Sequence, residues 1–268
     1  ICDANAERLS AEDVYNRVKQ IKPRLICFVV YGQNVNAGTV NMSGAVYLSN
    51  YLKDKNINKP IAYVGSHAQA LPIKTLTDEP SIDFVFTNEG VYALRNILSL
   101  SNIDVNNLTD IKGIVWRKDG KPTFNPPEKV VPRDRMDIDL PGYAWDLLPY
   151  DEKPLDLYRA PMWHAEYDES KRSPYAAIQT SLGCQFGCNF CMINILNRDD
   201  NEEIGVAGNY SLMRHWSPEF IINEFDKLAA LGVYTIKITD ELFLFNKKYY
   251  EPLCTALSKR DYVDKLTM

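Results

Sequence analysis

Between residues 24 and 100 the chain alternates short apolar runs with amphipathic stretches, and this alternation limits the possible folds more than any other feature. "RLICFVVYG" (24–32) reads as a buried strand, and "TVNMSGAVYLSNYLKDKN" (39–56) follows it with Ala45, Leu48 and Leu52 at helical spacing. The cycle repeats with "PIAYVGSHA" (60–68), a segment around Leu76, "IDFVFTNEG" (82–90) and "VYALRNILSL" (91–100). Strands separated by helix-length segments pair in parallel, so the expected result is a doubly wound α/β unit. "GIVWRKDGKPTF" (113–124) places Asp-Gly between two extended runs, a hairpin signal that closes the unit.

The composition then changes. Nine of the 15 prolines lie from Pro122 to Pro174, among aromatic and charged residues without a sustained period. Such a stretch reads as a linker ordered in patches. Order returns at "SPYAAIQTS" (173–181), a strand that runs straight into a group of cysteines. "SPEFIINEFDKLAALG" (217–232) carries helix punctuation at both ends: Ser217 as N-cap, Pro218 at the first helical position and Gly232 as the stop. Ile221, Phe225 and Leu228 share one face, and "VYTIKITDELF" (233–243) is the next strand. Strand, loop, helix, strand is how a parallel β/α barrel or layered sheet begins. The expected domains are 1–125, a Pro-rich linker over 126–172, and 173–268.

Bulk charge excludes some partners. With 30 Lys+Arg against 35 Asp+Glu and a net charge of -5, the chain has no basic footprint for nucleic acid or anionic lipid. No apolar run approaches the roughly 20 residues that span a bilayer, and "ICDANAERLS" lacks the basic start and apolar stretch of a secretory signal. A cytoplasmic location is the expectation.

Six cysteines divide into a tight triplet, Cys184, Cys188 and Cys191, and three strays, Cys2, Cys27 and Cys254. This is no disulfide framework. Structural zinc takes four protein ligands, usually in two pairs, and a redox dithiol needs only C-x-x-C. A four-iron cubane held by three cysteines keeps one iron open to a substrate or cofactor. The C-x3-C-x2-C spacing, its place after a strand and the aromatic Phe190 favour that open cluster. Two other assignments stay open: His215 completing a zinc site, or Cys188 and Cys191 acting as a redox pair. Cys2 and Cys27, in strand-like surroundings, and Cys254, in the helix-like "YYEPLCTALSK", read as small buried thiols.

Cys184, Cys188 and Cys191 with Phe190 resemble the C-x3-C-x-aromatic-C signature of radical S-adenosylmethionine enzymes. The resemblance implies that S-adenosylmethionine chelates the open iron of a 4Fe-4S cluster, and that reduction cleaves it to a 5'-deoxyadenosyl radical. It also implies that Phe190 lies against the adenine and that Asp240 and Glu241 contact the cofactor's aminoacyl or ribose end. An N-cap or solvated-loop role for the two acids is equally open. The front half, through "VVYGQNVNAGTVNMSGAVYLSNYLK", "YVGSHAQALP" and "DFVFTNEG", resembles the cobalamin-binding domain of one large branch, and "DIDLPGYAWDLLP" resembles that branch's linker. The implied architecture is a Rossmann-like (flavodoxin-like) cobalamin domain followed by the first part of a radical β/α (partial TIM) barrel. Corrin and tail would lie at the carboxyl ends of the strands, against Tyr31, Asn34, Gly65, Ser66, His67, Asn88, Glu89 and Gly90. For Gly65, Gly90 and His67, ordinary turn and loop roles stay open.

The implied reaction is methyl transfer to an unactivated carbon or phosphorus centre of a small-molecule or natural-product substrate, with flavodoxin or ferredoxin as reductant. Cyclisation or rearrangement, methylthiotransfer, and a non-catalytic cobalamin or metal sensor are the alternatives. "ICDANAERLS" resembles the second strand and helix of the cobalamin domain, and "DYVDKLTM" an incipient third barrel strand. The expectation is therefore a piece of a longer enzyme, inactive alone.

Overall fold

A computed structural model describes residues 1–31, 38–150, 174–186, 188, 191, 193 and 213–268. Asn34 and Phe190 lie outside the described residues, as do 151–172 of the expected linker and residue 173. The chain divides into two compact units. The first comprises Ala11–Pro132 and Gly183–Met213; the second comprises Ile1–Ser10, Arg133–Leu182 and Arg214–Met268.

The first unit runs α1 (Ala11–Ile21), β1 (Ile26–Val29), α2 (Gly38–Asp54), β2 (Ile61–Val64), α3 (Ser66–Ala70), α4 (Pro72–Asp78), β3 (Phe84–Phe86), α5 (Val91–Leu98), β4 (Ile114–Lys118) and β5 (Lys121–Phe124). Its sheet has the order β1-β2-β3-β4-β5. β1, β2 and β3 pair in parallel, while β4 is antiparallel to β3 and closes a hairpin with β5. Side chains alternate along strands, so each strand supplies two faces. Tyr63, Val85 and Val115 pack with Met42, Ala45 and Leu52 of α2 and Leu76 of α4. Ala62, Phe84, Ile114 and Trp116 pack with Ala93 and Ile97 of α5 and with Ile103, Leu108 and Ile111. Helices on both faces and a wholly buried β2 are what the apolar runs predict.

Local corrections have simple causes. The seam of α2 is Met42, Ala45, Ser49 and Leu52, with Ser49 rather than Leu48 in the core. Ser49 is tolerated there because its hydroxyl is bonded to Tyr63 Oη at 2.8 Å and Ser81 Oγ at 2.9 Å. Residues 1–10 contain turns and no strand, so the strand resemblance of the first residues is not realised and Cys2 is exposed.

The second unit contains α6 (Met136–Asp139), β6 (Tyr175–Ile178), β7 (Ser181–Leu182), β8 (Arg214–His215), α7 (Pro218–Ala230), β9 (Thr235–Ile238) and α8 (Lys247–Leu257). β6 and β9 are parallel neighbours joined through α7, and Thr267 bridges in parallel to Thr235. α7 starts as its sequence dictates: the Ser217 hydroxyl accepts the Phe220 amide at 3.1 Å, and Pro218 follows. Gly232, at φ +74°, ends the turn beyond it.

Residues 137–150 are built into this unit. Glu224 of α7 is 1% exposed and accepts from Trp145 Nε1 at 2.7 Å, Tyr143 N at 3.4 Å and Lys227 Nζ at 2.7 Å. Trp216 Nε1 donates to Leu140 O, Ser217 N to Asp137 Oδ1, and Tyr150 Oη to Tyr175 O. Cys254, expected in the core, is exposed, because α8 buries Tyr249, Leu253 and Leu257 at four-residue steps and the thiol lies one position off that line. Among the described residues no helix is long and apolar enough to cross a membrane.

Candidate functional site

In the first unit the parallel strands β1, β2 and β3 release their loops at one end of the sheet, and those loops meet around Gln69. Its amide nitrogen donates to Tyr31 Oη at 3.4 Å and to the carbonyl oxygen of Asn88, linking the ends of all three strands. Burial pushes the Tyr31 phenol up to about 12, so it stays protonated and keeps its hydroxyl hydrogen for donation. Asn88 is buried: it donates to Glu128 O at 2.7 Å, and its Oδ1 accepts from Gly90 N at 3.0 Å. Gly90, at φ +76°, makes the turn into α5. Glu89 points elsewhere and accepts the Val131 amide at 2.6 Å.

The loop after β2 is held very closely. Gly65 has φ +151° and ψ 161°, a conformation confined to glycine, and a Cβ there would stand 2.0 Å from Val30 O. Gly38, the first residue of α2, approaches Ser66 so closely that a Cβ would stand 2.0 Å from its Oγ. His67 Nδ1 is bonded to Thr39 Oγ1 at 2.9 Å, and burial, with Lys74 adding to it, lowers the pKa of the ring. Ser66 Oγ and Gln69 Oε1 are buried and have no hydrogen-bond partner among the described residues. Two orphaned polar atoms at converging strand ends fit a ligand that brings its own polar groups, since burying them unpaired costs roughly 1–3 kcal/mol each. Tyr31, Gly65, Ser66, His67, Asn88 and Gly90 lie at these strand ends, where the resemblance put them. Gln69, Gly38 and Thr39 were not among the expected residues, though Gln69 stands only two residues past His67 in "GSHAQA".

The cysteine segment leaves β7 through Gly183, at φ +87°. Cys184 is buried and Cys188 and Cys191 are exposed, and among the described residues none of the three is in a disulfide. Phe186 N donates toward Cys184 Sγ at 3.5 Å, and Cys191 N closes a turn onto Cys188 O at 3.1 Å. Three thiolates are the soft donor set an iron-sulfur cluster requires. Among the described residues no three His, Cys, Asp or Glu side chains are gathered as a metal-holding group. His215, the alternative zinc ligand, packs its ring 4.4 Å from that of Tyr249. Cys27 is half-buried in β1 and burial pushes its thiol up to about 11, the mark of an inert core cysteine.

In the second unit Asp240, just past β9, is committed to protein partners. Oδ1 accepts Thr180 N at 2.7 Å; Oδ2 accepts Thr180 Oγ1 at 2.7 Å and Ser181 Oγ at 2.5 Å. Glu241 beside it is exposed.

No protein-family model matches the chain. It is 24% identical over 252 residues to an uncharacterized methyltransferase of Pyrococcus horikoshii, covering 92% of this chain and 46% of the relative. It is 24% identical over 258 residues to the anaerobic magnesium-protoporphyrin IX monomethyl ester cyclase of Synechocystis, covering 96% and 44%. The chain thus spans less than half the length of these curated relatives. Among solved structures it matches the cobalamin-dependent S-adenosylmethionine radical enzyme OxsB with aqua-cobalamin bound, at a TM-score of 0.61 and 18% identity, over 94% of this chain and 31% of that one. It also matches the radical S-adenosylmethionine methyltransferase TsrM of Kitasatospora setae, solved with tryptophan and a cofactor analogue, at a TM-score of 0.60 and 16% identity over 98% and 46%. Its fold is that of cobalamin-dependent radical S-adenosylmethionine enzymes. A second TsrM structure, with cobalamin and a [4Fe-4S] cluster bound, agrees at a TM-score of 0.59, 15% identity and coverage of 98% and 48%. The neighbours with this fold are thus the proteins that the cysteine triplet and the front half resemble.

Proposed function

We propose that this chain is part of a cobalamin-dependent radical S-adenosylmethionine enzyme, and that the complete protein transfers a methyl group to an unactivated carbon or phosphorus centre of a small molecule. The observation that carries the reading is the C-x3-C-x2-C segment placed directly after β6 and β7, in a fold shared with enzymes of that chemistry. Cys184, Cys188 and Cys191 would hold the cluster, each thiolate on a different iron. When bound, the cluster with S-adenosylmethionine supplies radical generation, and cobalamin supplies methyl transfer.

The chain's own residues bind and orient. Tyr31, Gly65, Ser66, His67, Asn88 and Gly90 would line the cobalamin site; Asn34 and Glu89 belong to the same loops. The Ser66 hydroxyl and the Gln69 carbonyl oxygen, unpaired among the described residues, would bond its polar groups. Phe190 and Glu241 are assigned to S-adenosylmethionine by family resemblance. The domains are proposed as a Rossmann-like cobalamin domain (1–125), a joining segment (126–172) and the opening of a radical barrel (173–268). An external one-electron donor such as flavodoxin or ferredoxin completes the cycle.

The cyclase relative supports a second reaction, ring formation. Incubating the complete protein anaerobically with S-adenosylmethionine and dithionite separates them. The methyltransferase reading expects both 5'-deoxyadenosine and S-adenosylhomocysteine, the cyclase reading only 5'-deoxyadenosine. Neither product from the fully loaded protein refutes both.

A further inference from the structure

We propose that Asp240 is a positioning residue: it fixes the path of the chain into the cysteine segment by gripping Thr180 and Ser181, and it does so without touching a cofactor. The inference rests on the proposed function only for the identity of the group the cysteines hold.

Both oxygens of the carboxylate are used, and both are used on consecutive residues. One takes the Thr180 amide, the other the hydroxyls of Thr180 and Ser181, at 2.7, 2.7 and 2.5 Å. Three bonds from one side chain to two adjacent residues make the grip firm. The same residue is held from other elements. Thr180 O accepts Tyr249 Oη of α8 at 3.1 Å and Trp216 N, beside β8, at 3.1 Å. Thr180 is fully buried and Ser181 nearly so. Every polar atom of Thr180 is therefore engaged, and β7, only two residues long, pairs Ser181 with His215.

Cys184 follows Ser181 by three residues, through the left-handed Gly183. A segment this short spans at most about 10 Å, so an anchor at Ser181 limits where the first thiolate can stand. Partners that orient a metal ligand from behind typically change metal affinity by 10–100-fold when removed. Asp240 also lies about 60 residues from the pair it grips, which explains why its adjacency to Glu241 in sequence suggested a different role.

The test compares iron loss to a chelator in the complete, cluster-loaded protein without S-adenosylmethionine. Asp240→Ala should release iron roughly 10-fold faster than wild type. The double variant Thr180→Val/Ser181→Ala should do the same, and combining all three changes should add nothing. Asp240→Asn should stay near wild type, because its amide oxygen can accept the Thr180 amide while its NH2 donates to the two hydroxyl oxygens. Asp226→Ala, which removes a clamp to Arg260 and Tyr262 in the same unit, should lower thermal stability without changing iron loss. If Asp240→Ala fails to fold, Ser181→Ala alone should show a smaller change in the same direction. Unchanged iron loss in Asp240→Ala or Ser181→Ala, or weaker S-adenosylmethionine binding as the only effect, overturns the inference. If wild type holds no cluster, the functional reading fails separately, and alkylation of the buried Cys184 thiol decides: faster in Asp240→Ala supports the inference, equal rates overturn it.

Discussion

Substituting Gly65 with alanine tests whether the loop after β2 is held as tightly as its geometry requires. Two costs add. The backbone, at φ +151° and ψ 161°, lies where only glycine is at ease, which costs an L-residue roughly 1–3 kcal/mol. The new Cβ would also meet Val30 O at 2.0 Å and Val30 C at 2.6 Å, backbone atoms that cannot swing aside, and overpacking of this kind costs roughly 1–3 kcal/mol. The total is about 2–6 kcal/mol, or a urea midpoint lower by on the order of 1–3 M for a domain of this size. Two glycines of the same unit calibrate the result. Gly120 in the hairpin has φ +78° but open space around it, so Gly120→Ala should carry only the conformational cost of about 1–2 kcal/mol. Gly44 is helical with nothing within 4 Å, and Gly44→Ala should stabilise by about 0.5–1 kcal/mol. Equilibrium urea unfolding followed by hydrogen exchange at Val30 N, which donates to Val64 O at 2.7 Å, reads both the loss and its location. The reasoning is refuted if Gly65→Ala costs no more than Gly120→Ala, or if Val30 exchange is unchanged. Hydroxocobalamin uptake by the complete protein should fall in Gly65→Ala, because Ser66 and Gln69 move with the loop.

Glu224→Ala should destabilise the second unit by about 2–3 kcal/mol in denaturant melts, because the buried Trp145 indole N–H loses its acceptor; Glu224→Gln should cost less. The pKa of His215 is lowered by burial, with Arg133 adding to this and Asp240 opposing it. Its folded pKa being below the ordinary 6.5, the stability it contributes is complete above that pH and lost as pH falls through the lowered value. His215→Phe should flatten that acid limb in unfolding measurements. Iodoacetamide should label exposed Cys254 readily and Cys27 slowly under the same conditions, as mass spectrometry can show.

What the sequence showed were the features written in local order. Ser217, Pro218 and Gly232 bound α7 as their chemistry requires, and Ile221, Phe225 and Leu228 are buried as spaced. The strand ends after 29, 64 and 86 put Tyr31, Ser66 and Asn88 in one neighbourhood because parallel strands must. What stayed hidden depends on pairs distant in sequence. Ser49 takes the core place expected of Leu48 because Tyr63 and Ser81 satisfy its hydroxyl. Residues 137–150 read as linker because Trp145, Tyr143 and Asp137 carry no period; their partners Glu224 and Ser217 lie about 80 residues away. Gln69 joins Tyr31 and Asn88, 38 and 19 residues away, and Asp240 read as one of a pair of acids at a strand end.

The most direct test of the account is quantitation of iron and inorganic sulfide on the complete protein, purified anaerobically, beside its three single Cys→Ala variants at 184, 188 and 191. An open cubane held by this triplet predicts about four irons and four sulfides per chain in wild type, a spectrum that responds to S-adenosylmethionine, and loss of both in every variant. One zinc per chain without sulfide, or a reducible cluster that survives removal of any of the three cysteines, would contradict it.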